Sequence, residues 1–249
     1  MEEYHKEYNR KEIIAPKVLR MLWLKKEKLD EVREALKFQR LEKFARLSGN
    51  IYPALVEVFL TNMWYDENTI YSQVKGVDIC INDEVWLVIG GLVNAGIPLG
   101  RSNTVGLEEF NKVQFFKSCL RNPNTESRSY YVGGLVVTPH ILAFIVIHVV
   151  LTEEDLMLMY CLMGRIKVNQ VSVIQEHIIK IRRKIKYRIP YVVLISHFIK
   201  YFEIDTEGEV VESVKAQNEI SATTLSKIGL KKVNDECWIC KADGDSPDQ

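Results

Sequence analysis

The stretch from Arg40 to Leu92 constrains the fold most, because the spacing of its apolar residues changes twice. Pro53 suits the first turn of a helix, and the apolar residues that follow it at helical spacing are Leu55, Val56, Phe59 and Leu60. Apolar residues then alternate on either side of Lys75-Gly76, which is typical of two strands joined by a tight turn. Asn82-Asp83 is typical of the N-terminal cap of another helix. The stretch therefore predicts a helix, a small β-hairpin near residues 69–81, and a second helix.

Most of the remaining chain has the spacing and end signals of helices. Apolar spacing or capping residues predict helices within residues 17–47, 107–120, 138–150, 168–186, 190–202 and 221–228. Thr152 caps a further helix, whose first-turn carboxylates, Glu153, Glu154 and Asp155, complement the helix dipole. Apolar residues make up 47% of the chain and charged residues 27%, which is ordinary globular composition. We therefore expect a mainly α fold, a multi-helix globular bundle with one small β-hairpin.

The clearest loop, at residues 121–131, contains Asn-Pro-Asn and further small polar residues, and it suggests a boundary between two helical halves. We predict five regions along the chain: a flexible N-terminus at 1–15, an N-terminal half at 16–120, a loop at 121–134, a C-terminal half at 135–205, and an acidic segment at 206–249 with a disordered end. Charge is uneven, since residues 203–249 hold eleven acidic and five basic residues. The basic remainder fits either nucleic-acid contact or ordinary solubility.

A run of twenty residues without formal charge, 132–151, has the length of a membrane span. Glycines, a proline and two histidines interrupt it, so we expect a buried helix after Pro139, with His140 and His148 as core histidines. The N-terminus is charged from its second residue and carries no secretory signal. We therefore expect a nuclear or cytoplasmic protein whose five cysteines are free thiols.

Catalytic and metal-binding patterns are sparse in this chain. Cys237 and Cys240 have the spacing of two zinc ligands, but a structural zinc site needs four. No second closely spaced pair exists in the sequence, and the distant residues that could complete the set are Cys161, His177 and His197. We expect apolar packing rather than a metal site, and no cofactor. No nucleotide-binding, protease or kinase signature is present, so we predict that the protein is not an enzyme.

One basic segment is a candidate for binding nucleic acid. Residues 178–188 contain no acidic residue, and Ile178, Ile181 and Ile185 recur at spacings of three and four, which predicts an amphipathic helix end. Its basic residues are Lys180, Arg182, Arg183, Lys184, Lys186 and Arg188. A phosphate-binding face would make affinity fall steeply with salt. The alternative is a solvated basic face that complements the carboxyl end of the helix dipole.

Several phrases along residues 40–205 resemble the plant transposon protein domain family. Val58-Phe59-Leu60-Thr61-Asn62 is similar to that family's Phe-Tyr-Ala-Asn-like helix end, and Val74-Lys75-Gly76 to its Val-Arg-Gly hairpin, with Lys in place of Arg. Downstream, the similar phrases are 151–163 (LTEEDLMLMYCLM), 166–169 (IKVN) and 189–204 (IPYVVLISHFIKYFEI). That family is associated with plant retroelements and is sometimes labelled envelope-like. The resemblance implies a mostly helical domain without an established activity, and it supplies no catalytic residues.

These observations lead to one expected function and two alternatives. We expect a non-enzymatic, retroelement-derived interaction or structural module with a protein partner. The first alternative is a nucleic-acid-binding protein that uses the basic segment at 178–188. The second is a membrane-associated, envelope-like protein that uses residues 132–151, which the interruptions in that run do not favour.

Overall fold

The structure is a computed structural model that describes residues 13, 17–99, 107–124, 130, 132–146, 152–183, 189, 191–215 and 218–241. In chain order, its helices are α1 Met21–Lys26, α2 Asp30–Phe38, α3 Pro53–Asn62, α4 Asp83–Gly90, α5 Lys112–Cys119, α6 Val137–Val146, α7 Glu153–Met163, α8 Gln170–Arg183, α9 Val192–Tyr201 and α10 Ala222–Lys227. Its strands are β1 Asn50–Ile51, β2 Trp64–Asp66, β3 Thr69–Val74, β4 Val77–Ile81, β5 Glu212–Ser213, β6 Leu230–Val233 and β7 Cys237–Cys240.

These elements form two compact units that alternate along the chain. The first unit takes its described residues from Met1–Val18, Leu41–Ala95 and Asn169–Glu219. The second unit takes its described residues from Leu19–Arg40, Gly96–Val168 and Ile220–Gln249. Each unit therefore depends on contacts between segments that are far apart in sequence.

An antiparallel sheet of order β2-β3-β4 is the main β structure of the first unit. Lys75 and Gly76 join β3 to β4 and have φ angles of 50° and 79°, as a type I′ hairpin turn requires. Glu67 and Asn68 join β2 to β3 with φ angles of 43° and 63°, so the second turn has the same left-handed character. A separate two-stranded sheet pairs β1 with β5.

Helices α3, α4 and α9 supply much of the core of the first unit. Phe59 on α3, Trp86 on α4 and Phe198 on α9 are each at most 1% exposed. The rings of Trp86 and Phe198 meet edge to face with centroids 5.3 Å apart, a favourable arrangement for aromatic pairs. Helix α3 also packs against β3, where the hydroxyl of Ser72 donates to the carbonyl of Phe59 at 2.7 Å.

The second unit combines short helices with the β6–β7 hairpin. Helices α5 and α7 pack together around a cluster of buried residues that consists of Phe116, Cys119, Leu120, Leu135, Ala143, Leu156 and Met159. The hairpin is joined to the N-terminal helices by Glu27, which is 7% exposed. Its carboxylate lies 3.0 Å from Nζ of Lys232 and accepts from Nε1 of Trp238 at 3.3 Å. This buried charge is therefore compensated within the unit.

The prediction of a mainly α fold with one hairpin was wrong. Helices account for 48% of the structure and strands for 17%, in three small sheets among the described residues, so the fold is mixed α/β. Two kinds of strand pairing were missed, because one joins segments that are far apart in the chain and the others use short polar turns that the sequence analysis did not recognise. Strands β1 and β5 are two residues long and pair across most of the chain, and β2 extends the hairpin as a third strand.

Several local predictions were confirmed. The β3–β4 hairpin spans 69–81 as expected, and α3 begins at Pro53. The side chain of Asn82 caps α4 by accepting from the amide of Val85 at 3.0 Å. Thr152 and Asp155 form a reciprocal capping box on α7. The predicted flexible N-terminus and disordered C-terminal end, apart from Ile13, lie outside the described residues.

Replacing Thr152 by alanine is expected to lower the free energy of unfolding by about 1 kcal/mol, because the amide of Asp155 loses its side-chain acceptor. Urea denaturation followed by circular dichroism measures the change. The matched control is Thr223→Ala, since Thr223 is exposed within α10 and should change stability by at most about 0.5 kcal/mol. Equal effects of the two substitutions would contradict the proposed role of the capping box.

Candidate interaction surface

The basic segment singled out in the sequence lies partly on α8. Ile178 and Ile181 are buried there, as an amphipathic helix requires. Lys180 lies 3.6 Å from the carboxylate of Glu176 one turn earlier, and its side chain is 27% exposed. The other five basic residues have side chains outside the described part of the structure: Arg182, Arg183, Lys184, Lys186 and Arg188. The one basic side chain of the segment that the structure describes, Lys180, therefore already has a carboxylate partner.

The cysteine pair considered as zinc ligands lies on strand β7. Cys237 and Cys240 are three residues apart in extended backbone, so their side chains point to opposite faces of the hairpin. The thiol of Cys240 donates to the carbonyl of Leu135 at 3.4 Å. All five cysteines are free thiols. Within the described residues, no three His, Cys, Asp or Glu side chains gather as metal ligands would.

His140, which lies in the long apolar run, is buried as expected, but one of its ring nitrogens lacks a hydrogen-bond partner among the described residues. His140 lies on α6 with 5% exposure, and its Nδ1 has no hydrogen-bond partner in the described structure. Burial lowers the pKa of His140 to about 4, and the nearby Arg121 acts in the same direction. His140 is therefore neutral near pH 7. His148 lies outside the described residues.

Strands β2, β3 and β4 present a surface that the sequence patterns did not single out. Residues two apart on a strand point to the same face, and the register aligns Trp64 with Tyr71 and Tyr71 with Cys80. One face, which we call the outer face, therefore carries Trp64, Asp66, Thr69, Tyr71, Gln73, Asp78 and Cys80. The opposite face is buried in its middle, where Ile70, Val74, Ile79 and Ile81 are at most 1% exposed, whereas Tyr65 and Val77 at its margins are exposed.

Two aromatic rings stand together on the outer face. The rings of Trp64 and Tyr71 are nearly parallel, at 11°, with centroids 5.4 Å apart. Trp64 is 47% exposed, although burying a tryptophan is strongly favourable. Strand β2 lies at the edge of its sheet. The ring face of Trp64 that is turned away from Tyr71 therefore borders no further strand of that sheet.

Carboxylates flank this aromatic pair on both sides. Asp66 follows Trp64 by two residues on β2, and Asp78 precedes Cys80 by two residues on β4. Both are exposed, and no lysine or arginine of the described chain pairs with either one. Nε2 of Gln73 donates to Oδ1 of Asp78 at 2.8 Å and orients that carboxylate. The outer face is therefore aromatic at its centre and acidic around it.

The only basic residue between positions 64 and 84 does not neutralise this surface. Residues 64–84 contain five carboxylates and one lysine, Lys75. Nζ of Lys75 lies 2.6 Å from the carboxylate of Glu209 and donates to the carbonyl of Asp205 at 3.0 Å. These contacts engage the one cation of the hairpin with residues that follow α9, so no cation among the described residues compensates the negative charge of Asp66 and Asp78.

Hydrogen bonds from helices α3 and α8 fix the position of the sheet that carries the outer face. The hydroxyl of Ser72 donates to α3, and the side-chain amide of Asn62 donates to the carbonyl of Gln73 at 2.8 Å. The side-chain amide of Gln175 on α8 donates to the carbonyl of Asn68 in the β2–β3 turn at 2.7 Å. Contacts of this kind pre-organise the rings and carboxylates before any partner binds.

Sequence reasoning missed this surface because it recognised only the β3–β4 hairpin and assigned no strand to the residues around Trp64. Helix α3 ends at Asn62, and Met63 is already extended with ψ at 136°. A usable signal was present in Glu67-Asn68, a polar pair suited to a left-handed turn. With that turn recognised, Trp64 and Tyr71 fall on paired strands.

Within the described residues, no helix has both the length and the apolar character needed to cross a membrane. Helix α6 covers ten residues of the long apolar run, and residues 147–151 lie outside the description. Comparisons of the chain with protein-family models, with curated proteins and with solved structures found no match. The resemblance to the plant transposon domain family rests on the quoted phrases and stays a prediction.

Proposed function

We propose that this protein is a non-enzymatic interaction module that binds a protein partner through the outer face of strands β2, β3 and β4. The observation that carries the proposal is the exposed Trp64 stacked on the partly buried Tyr71, on a sheet whose other face packs against the core. A retroelement origin, as the sequence resemblance implies, is part of the proposal. A nuclear or cytoplasmic location is also part of it, and the free thiols of the five cysteines support a reducing compartment.

Physical chemistry favours a protein partner for such a surface. Tryptophan and tyrosine are enriched among the residues that dominate binding energy at protein interfaces. Their rings have few rotatable bonds, and stacking restrains those of Trp64 and Tyr71 further, so little conformational entropy is lost on binding. A bound segment that covers the 47% exposed Trp64 side chain would also remove apolar area from water.

The nucleic-acid alternative has less support from the described residues. Phosphate backbones are polyanions, and the outer face places Asp66 and Asp78 beside its aromatic rings. On α8, Lys180 pairs with Glu176. Binding by the basic segment 178–188 stays a prediction, because five of its six basic side chains lie outside the description.

Peptide display against the full-length protein tests the proposal. A random library of short peptides is selected on the wild type, on Trp64→Ser, and on Leu22→Ser as the matched control, because Leu22 is 82% exposed on α1. We expect wild type and Leu22→Ser to enrich the same peptides. Trp64→Ser should bind them about 30-fold more weakly, as loss of a central tryptophan contact costs about 2 kcal/mol.

Circular dichroism and the urea midpoint establish that Trp64→Ser remains folded. Equal enrichment on the wild type and on folded Trp64→Ser would overturn the proposal. Failure of the wild type to enrich any peptide would overturn it as well.

A further inference from the structure

The partner of the outer face can be specified further from its charge, an inference that rests on the function proposed above. Side chains in neighbouring rows of one sheet face are about 7 Å apart, because each strand residue advances about 3.3–3.4 Å. Asp66 and Asp78 therefore lie one row to either side of the Trp64–Tyr71–Cys80 row. A bound segment that crosses the aromatic pair would therefore pass Asp66 beside Trp64 on β2 and Asp78 one strand beyond Tyr71 on β4.

Such a surface is complementary to a cation. The face of an aromatic ring carries partial negative charge, and tryptophan attracts cations most strongly among the aromatic residues. Asp66 and Asp78 add formal negative charge, and neither has a cationic partner in the described structure. Lys75, the cation of the same hairpin, is paired with Glu209. No described cation of the unit therefore cancels this negative potential, which acts on an incoming group.

We infer that the outer face binds a basic peptide segment of a partner protein, with an arginine side chain stacked on the open face of Trp64 and paired with Asp66. Arginine fits better than lysine, because its planar guanidinium can stack on a ring while two of its N–H groups donate parallel hydrogen bonds to the two oxygens of a carboxylate. Asp78, oriented by Gln73, serves a second basic residue of the same segment. Strand β2 is at the edge of the sheet, so the segment reaches Trp64 from the side.

Fluorescence anisotropy of four labelled peptides tests this inference on the full-length protein. The peptides share a Gly-Ser background and carry four arginines, four lysines, four glutamines or four glutamates. At physiological ionic strength we expect the arginine peptide to bind most tightly and the lysine peptide several-fold more weakly. Because a cation–π contact corresponds to about 2-fold to 30-fold in affinity, Trp64→Leu, which keeps an apolar side chain without a ring, should weaken arginine binding within that range.

Removing the two carboxylates of the outer face tests whether they bind the arginine peptide specifically or whether any exposed carboxylate would attract it. Asp66→Asn combined with Asp78→Asn keeps the size of both side chains, and the amide oxygen introduced at the second position can still accept from Gln73. We expect this variant to bind the arginine peptide about fivefold to tenfold more weakly, with a flatter dependence on salt. The matched control is Glu109→Gln combined with Glu236→Gln, which removes two exposed carboxylates of the second unit and should leave affinity within about twofold.

Equal affinity for the glutamine and arginine peptides would overturn the inference, as would unchanged binding by the doubly substituted Asp66 and Asp78 variant. This failure is distinguishable from failure of the proposed function. Display peptides that depend on Trp64 but contain no excess of arginine or lysine would preserve the interaction module and refute its basic partner. Circular dichroism checks that each variant is folded. If the double variant misfolds, the order of the four peptides and the response to Trp64→Leu decide.

Discussion

Replacing Phe198 by alanine is expected to destabilise the first unit by about 3–5 kcal/mol. The ring of Phe198 is fully buried on α9, with its centroid 5.3 Å from that of Trp86 and 6.4 Å from that of Phe59. Truncation removes the transfer free energy of the ring and leaves a cavity that its neighbours fill incompletely. Urea denaturation followed by tryptophan fluorescence and by circular dichroism measures the change.

Two variants on the same helix make the result specific. Phe198→Leu retains most of the volume and should cost roughly half as much as the alanine variant or less. Tyr201→Ala removes a ring that is 40% exposed, and its effect should stay within about 1 kcal/mol. A loss below about 1 kcal/mol for Phe198→Ala would contradict the assignment of Phe198 to the centre of the core.

His140 is expected to make the stability of the second unit fall as the pH is lowered from about 6.5 to about 4. Burial holds the pKa of His140 at about 4 in the folded protein, against an ordinary value of 6.5, and the charge of Arg121 acts in the same direction. Between these values the unfolded chain binds a proton that the folded chain does not, so acid favours unfolding. The loss of stability is absent well above about pH 6.5 and reaches about 3 kcal/mol at pH 4.

Comparison with a variant that lacks the imidazole isolates this effect. The free energy of unfolding is measured from about pH 7 to about pH 4 for the wild type and for His140→Leu, and the difference between the two curves should grow by about 3 kcal/mol in favour of the variant. Ile141→Val is the control, because Ile141 is fully buried beside His140 and carries no titratable group. Its curve should run parallel to that of the wild type. A parallel curve for His140→Leu would show that His140 is not held neutral by the fold.

The local elements were predictable because a few neighbouring residues set them. A proline begins α3, an asparagine caps α4, and a threonine with its aspartate partner caps α7. Lys75-Gly76 forms the left-handed turn of the β3–β4 hairpin. In each case the stabilising contact joins residues that are close neighbours in the chain, so the pattern alone contains the information.

The strands that changed the fold class were missed for two reasons, because β1 and β5 join distant segments, whereas β2–β3 and β6–β7 are hairpins with polar turns that were not recognised. Asn50 pairs with Ser213, and Ile51 with Glu212, in strands too short for any apolar alternation to appear. The β6–β7 hairpin turns through Asn234 and Asp235, both with positive φ, and its Cys-Trp-Ile-Cys strand was interpreted as apolar packing near the C-terminus. Glu27 then contacts Trp238 and Lys232 across most of the chain, a pairing for which no local pattern exists.

The candidate surface was likewise predictable from the sequence in part, and the tertiary structure decided the rest. Composition and spacing located the hairpin at 69–81 and the basic segment at 178–188, and they indicated which residues alternate. Tertiary packing decided which face of the hairpin α3 covers. Strand register placed Trp64 of β2 beside Tyr71 of β3. Capping and turn formation depend on residues that are neighbours in the chain, so the sequence predicts them directly. Burial and the pairing of distant strands depend on many residues at once, so only the tertiary structure decides them.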